Sequence, residues 1–195
     1  MNIVLFEAGE IGAPLAPGDP RLEHIVRVLR RKAGDTFDAG IVNGQRGKAR
    51  VTRISDTCLE FTFEVLAEPE TPDPIDLLVA LPRPQTARKI LGEAAALGVA
   101  RIRFFASEKG EPGYAASTLW KSGEWRRRLV EGSAQAFATR IPEVAHDASL
   151  SASLAEVAPG CRRVALDNYE APSRLGPLGD CRPLALAFGP ERGWS

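Results

Sequence analysis

The segment that most constrains the fold is Leu184-Ala-Leu-Ala-Phe188-Gly189-Pro190-Glu191-Arg192-Gly193-Trp194-Ser195. Five apolar residues run unbroken into Gly-Pro. Without polar alternation, such a run is the pattern of a strand buried on both faces, as in a parallel sheet covered by helices. Gly189, Pro190 and Gly193 then make a tight loop, where a backbone can approach a ligand closely. In open parallel sheets, ligands bind beyond the carboxyl ends of the strands. The segment therefore reads as a strand feeding a candidate binding loop, with an ordinary strand-to-turn corner as the other reading.

The same pattern recurs upstream. Ile75-Asp-Leu-Leu-Val-Ala-Leu81 is a buried strand closed by Pro82. Residues 85–97 have helical composition, with Ile90, Leu91, Ala94, Ala95 and Leu97 as the apolar face and Gly98 as the stop. Residues 99–106 are strand-like, a helix is expected around 124–138, and Val164-Ala-Leu166 is a short strand ending at Asp167-Asn168. Strands alternating with helices predict an α/β domain with a mostly parallel sheet.

The first third is different. Residues 2–6 read as a strand. Asp19-Pro20 reads as a helix start, Leu22, Ile25, Val26 and Leu29 as its buried stripe, and Gly34 as its end. Short strand segments follow around the hairpin signal Asn43-Gly44, and Phe61, Phe63 and Val65 alternate onto one face. One helix among short strands predicts a small β-barrel. Between the two patterns, Glu68-Pro-Glu-Thr-Pro-Asp-Pro74 reads as a stiff linker. The expected domains are 1–70 and 74–195.

Charge sharpens this division. Residues 21–53 carry nine Lys/Arg against three Asp/Glu, whereas 54–76 carry seven Asp/Glu and no Lys/Arg. A basic block of this kind marks a candidate phosphate-contacting face, or else an ordinary solvated surface. No apolar run approaches the roughly 20 residues of a membrane span. Cys58, Cys161 and Cys181 have no metal-ligand spacing, and only His24 and His146 are present, so no metal site is expected. The odd cysteine count argues for reduced thiols in a cytoplasm.

Dinucleotide, P-loop and hydrolase-elbow signatures are all absent. The short motifs point elsewhere. His24-Ile-Val-Arg27-Val-Leu-Arg30 with Gly34-Asp35, then Leu81-Pro82-Arg83, Ala96-Leu97-Gly98-Val99, Ser107-Glu108-Lys109, Arg140-Ile141-Pro142-Glu143-Val144 and the Phe188–Ser195 end together resemble the small-subunit ribosomal RNA uracil-N3 methyltransferase family, the RsmE type. The resemblance runs in order from His24 to Ser195. It implies a PUA-like β-barrel followed by a SPOUT α/β domain with a C-terminal trefoil knot, a rare exception to unknotted topology.

It also implies S-adenosylmethionine as cofactor, a homodimer, and small-subunit ribosomal RNA as the partner. Cofactor contacts are expected at Leu166, Asp167, Phe188, Gly189, Pro190, Glu191, Arg192 and Gly193. Holding the loop is the favoured role for Glu191, with the catalytic base as its alternative. Arg27, Arg30, Arg31, Arg83 and Arg140 are expected on RNA phosphates. Ala96, Ala134, Phe137-Ala138 and Arg192 depart from the family pattern, which leaves open an RNA-binding relative without the chemistry. A small-molecule α/β enzyme with an unrelated barrel is the third reading. Because the final strand needs cover on both faces, a further strand, loop and helix are expected after Ser195, completing the sheet, the knot and the adenine pocket.

Overall fold

The computed structural model describes residues 2–177, 182–190, 193 and 194. It divides into two compact units, Met1–Thr71 with Ser133–Ile141, and Pro72–Gly132 with Pro142–Ser195.

In the first unit, β1 (Val4–Phe6), β2 (Thr36–Ile41), β3 (Arg46–Ile54) and β4 (Leu59–Ala67) form one mixed sheet in the order β1-β2-β3-β4. β1 pairs parallel with β2, and the remaining pairs are antiparallel. The β2–β3 turn places Asn43 at φ 58, where asparagine is among the few non-glycine residues tolerated. Phe6, Ile25, Phe37, Val51, Leu59 and Phe61 pack beneath the sheet, with the Phe6 and Phe61 rings 5.0 Å apart. The stripe predicted for β4 fades along the strand: Phe61 is buried, but Val65 is 46% exposed, because the core ends before the strand does.

Asp19 caps α1 (Pro20–Glu23), accepting from the Arg21 N–H at 2.8 Å, and Pro20 occupies the first turn. The helix does not run to Gly34. It widens into a π-helix over His24–Val28, where the Leu29 N–H donates to the His24 carbonyl at 2.9 Å. Arg30 then takes φ 53 and turns the chain out, while the Arg31 N–H reaches back to the Ile25 carbonyl at 3.0 Å. A left-handed arginine therefore closes the helix, and Gly34 serves a later turn.

Residues 133–141 complete this unit. The Ala134 carbonyl accepts from the Asn2 and Ile3 N–H groups. The fully buried Thr139 hydroxyl donates to the Gly44 carbonyl at 2.6 Å, and the Ile141 N–H donates to Asn43 Oδ1 at 3.0 Å. The Arg46 guanidinium lies 5.4 Å from the Phe137 ring centre. A β-carbon on Gly40 would meet Thr139 Cγ2 at 2.6 Å, so the sheet takes this segment only where a side chain is missing.

The second unit is built on five parallel strands in the order β7-β6-β5-β9-β8. In chain order these are β5 (Asp73–Ala80), β6 (Val99–Ala106), β7 (Glu143–Ser149), β8 (Arg162–Leu166) and β9 (Leu184–Phe188). Helix α2 (Pro84–Ala96) joins β5 to β6, α3 (Thr118–Lys121) and α4 (Glu124–Gln135) lie between β6 and β7, and α5 (Leu150–Ala155) follows β7. The α/β class and the parallel sheet agree with the periodicity. Three details do not. The fourth helix stops at Gln135 instead of Ala138, because Phe137 takes φ 62. Leu97 is 75% exposed instead of packed. On β9, Leu184 and Ala185 are buried, but Phe188 is 38% exposed, because the strand's carboxyl end opens on a cavity.

α2 and α4 meet at glycine. A β-carbon on Gly132 would lie 2.1 Å from the Gly92 carbonyl oxygen, so the two backbones touch. Beside this contact, Glu124 accepts from Arg88 at 2.8 and 2.9 Å and from Arg128 at 3.0 Å. Arg88 first, and then Arg128, hold the Glu124 carboxyl down to about 2, against an ordinary 4.5. A carboxyl whose folded pKa is depressed contributes stability above its unfolded pKa and loses it as pH falls through the folded value. Glu124→Gln should therefore lower the thermal midpoint at pH 7, and the gap to the parent protein should close between about pH 4.5 and about pH 2. Melting curves across that range test this; a gap independent of pH would remove the ion pair as its cause.

Candidate functional site

The strand order places a topological switch beside β5. From β5 the chain moves to β6 and β7 on one side, and β9 and β8 lie on the other. Neighbouring connections that leave in opposite directions open a crevice at the carboxyl ends of the strands, the usual ligand position in such sheets. A cavity of about 560 Å³ lies there. Its size falls in the range of small-molecule sites, ~300–1,000 Å³.

Three walls enclose it. Leu77 and Val79 of β5 line the sheet side. Thr86, Ile90, Glu93, Ala94 and Leu97 form the α2 side, at spacings that put them on one helical face. This explains the exposure of Leu97, which faces the cavity. The third wall is the ends of β8 and β9: Leu166, Asp167, Asn168 and Tyr169, then Phe188, Gly189, Pro190, Gly193 and Trp194. Glu93 and Asp167 are the charged side chains among these described lining residues, and no Lys or Arg joins them.

Trp194 fixes the loop after β9. Its Nε1 donates to the Leu166 carbonyl at 2.9 Å, its ring stacks on Phe105 at 6.1 Å and 14°, and its carbonyl accepts from Lys109 Nζ at 2.6 Å. A β-carbon on Gly189 would lie 2.9–3.0 Å from the indole ring. Gly193 takes φ 78, and its N–H donates to the Pro190 carbonyl at 2.9 Å. One glycine thus admits the indole against the backbone, and the other turns the chain.

Of the residues expected at the cofactor, Leu166, Asp167, Phe188, Gly189, Pro190 and Gly193 line this one cavity. Glu191 and Arg192 lie outside the described residues. Arg83 occupies the N-cap position of α2, between the lining residues Pro82 and Thr86, and its Nε donates to Thr86 Oγ1 at 3.2 Å. Arg27, Arg30, Arg31 and Arg140 are exposed on the first unit, where Arg27 lies 3.7 Å from Glu23. Sequence reasoning missed the α2 wall, Tyr169 and Trp194. The helical spacing of residues 86, 90, 93 and 97 was the available signal for the first, and the glycine five residues upstream for the last.

The family described as RNA methyltransferase domain matches residues 69–195. Ribosomal RNA small subunit methyltransferase E of Treponema pallidum is 33% identical over all of this chain and 77% of its own length. The chain belongs to the small-subunit ribosomal RNA methyltransferase E family. Two solved structures share the fold of that family. One is a probable rRNA-methyltransferase from Porphyromonas gingivalis, with a TM-score of 0.74, 22% identity, and coverage of 99% of this chain and 82% of the other. The second is the ribosomal RNA small subunit methyltransferase E of Neisseria gonorrhoeae bound to S-adenosyl methionine, with a TM-score of 0.69, 20% identity, and coverage of 99% and 82%. Among the described residues, no helix is long and apolar enough to cross a membrane, and no group of His, Cys, Asp and Glu could hold a metal ion.

Proposed function

We propose that this chain transfers the methyl group of S-adenosylmethionine to N3 of a uridine in small-subunit ribosomal RNA. The observation that carries the reading is the cavity at the switch point, lined by Gly189, Pro190, Gly193 and Trp194, in a member of this family. The residues present suit the cofactor. The volume admits a molecule of that size, the walls are mostly apolar, and the lining charges, Glu93 and Asp167, are anionic, complementary to a sulfonium.

When bound, S-adenosylmethionine supplies an electrophilic methyl group. N3 of uracil supplies the electron pair for the new bond, and the imide proton leaves to a base. The apolar faces of Leu77, Val79, Ile90 and Leu166 keep water from the reacting centre. Glu191 is our candidate for the base, or for holding the loop. Backbone from Gly189 to Gly193 and the Leu166–Asp167 wall hold the cofactor. The Watson–Crick edge must be free, so the target uridine is unpaired when it reacts.

The same reading assigns 1–70 to a PUA-like barrel, 74–195 to a SPOUT domain with its trefoil knot, a homodimer as the working assembly, and a cytoplasmic setting. Titration with S-adenosylmethionine, followed by transfer of labelled methyl to ribosomal RNA, tests the activity. Cofactor binding and N3-methyluridine in the product are expected. RNA binding with no methyl transfer would favour the degenerate relative. Sedimentation of a stable monomer at micromolar concentration would remove the dimer.

Arg27, Arg30, Arg31, Arg83 and Arg140 are assigned to RNA phosphates. Arg30 is unsuited to a clean test because it holds the left-handed turn at φ 53. Arg27→Ala/Arg31→Ala leaves that turn intact. The slope of log K against log salt should fall by about 0.7 per lost contact on single-stranded RNA. An unchanged slope in filter binding would take both arginines out of the interface.

A further inference from the structure

Tyr169 is used by nothing described so far. It follows the Asp167-Asn168 end of β8 and lines the cavity, yet it is 87% exposed, the most exposed of the large hydrophobic side chains among the described residues. No other aromatic ring among them pairs with it. Its backbone is nevertheless fixed, the Tyr169 N–H donating to Asp167 Oδ1 at 2.8 Å. A ring held at the rim of a binding cavity with both faces open is a platform lacking its second layer.

The geometry points to Tyr169 as the stacking platform for the target nucleobase of the RNA substrate, held against its ring at the mouth of the cavity. This rests on the proposed methyl transfer and adds a base-positioning residue to it. A base that leaves its neighbours to expose N3 loses its stacking, and an aromatic side chain offsets that loss without selecting sequence. The adenine of the cofactor is the competing occupant. Exposure argues against it: a ligand seated inside would lie along the inner walls, Leu166 and Phe188, whereas the tyrosine projects outward.

Tyr169→Ala and Tyr169→Phe test this in the full chain, because a side chain so exposed contributes little to folding. With S-adenosylmethionine saturating, Tyr169→Ala should raise the apparent KM for ribosomal RNA by roughly tenfold while kcat changes far less, and Tyr169→Phe should retain the parent values. The dissociation constant for S-adenosylmethionine should be unchanged in both variants. A rise in that constant with RNA affinity unaltered would give the ring to adenine and overturn the assignment, as would an unchanged KM in Tyr169→Ala. Filter binding of a single-stranded RNA carrying an unpaired uridine gives a readout independent of turnover. If the parent protein methylates nothing, the activity reading fails, and a tenfold loss of binding in Tyr169→Ala would still uphold the platform. Equal binding by both proteins would refute it.

Discussion

Gly132→Ala should lower the thermal midpoint of the second unit by about 8 °C, whereas Gly92→Ala, at the same helix crossing, should not. Both substitutions improve helix propensity, by ~1 kcal/mol. The difference lies in what each new methyl meets. At Gly132 it would lie 2.1 Å from the Gly92 carbonyl oxygen and 2.9–3.0 Å from the Gly92 carbonyl carbon and Cα. These are backbone atoms, so no rotamer change relieves the clash, and α2 and α4 must separate. At Gly92 the nearest atom, the Arg128 carbonyl oxygen, is 3.8 Å away, an ordinary contact. Overpacking typically costs 1–3 kcal/mol, and a clash this deep belongs above that range. The net loss is about 2 kcal/mol, and each kcal/mol shifts the midpoint of a domain this size by about 4 °C. Equal melting of the two variants would show that the backbones are not in contact.

The second large effect is on cofactor affinity. Gly189→Val should weaken S-adenosylmethionine binding ten- to hundredfold while moving the melting temperature little. The first added carbon already falls within 3.0 Å of the indole, and the valine methyls go further. Trp194 must then leave Phe105 and give up its hydrogen bond to the Leu166 carbonyl. Each of these contributes on the order of 1 kcal/mol to holding the loop. Two such losses, read as misplacement of the loop, correspond to the affinity range given. Trp194 packs against the core cluster that holds Phe105 only as a partly buried neighbour, so stability should change less than affinity. Calorimetric titration beside a melting curve separates the two quantities; undiminished affinity would mean that the loop does not touch the cofactor.

The α/β class was legible because β9 is apolar throughout, β5 and β8 end on apolar runs, β6 is apolar apart from Arg101 and Arg103, and α2 carries a 3.6-residue stripe. β7 was not, since Glu-Val-Ala-His-Asp-Ala-Ser is a polar edge strand with no buried residue to reveal it. Length hid α3 and α5, with four and six residues. The π-helix at His24–Val28 follows from one shifted hydrogen-bond register, which residue types do not record. At the cavity, glycine and proline announced the loop after β9. The opposite wall was hidden because Ile90 and Leu97 satisfy the same apolar pattern whether they face a core or a ligand. Ala134, read from sequence as a departure from the family pattern, is fully buried in this chain, and its carbonyl oxygen accepts from the Asn2 and Ile3 amides.

The first unit is interrupted in sequence: Thr139 and its neighbours reach it only after more than sixty intervening residues. On a ribosome, its sheet therefore emerges well before the strip that fills the space above Gly40 and accepts the Asn2 and Ile3 amides. Loop closure over that distance makes these contacts late ones, and domains otherwise tend to fold in order of synthesis. A nascent chain arrested near residue 120, with β4 clear of the exit tunnel, should show native-like exchange protection along β3 and β4 but open amides at Asn2 and Ile3. Those amides should close once Ile141 has cleared the exit tunnel, so the last step in making the amino-terminal unit is scheduled by residues from the middle of the chain.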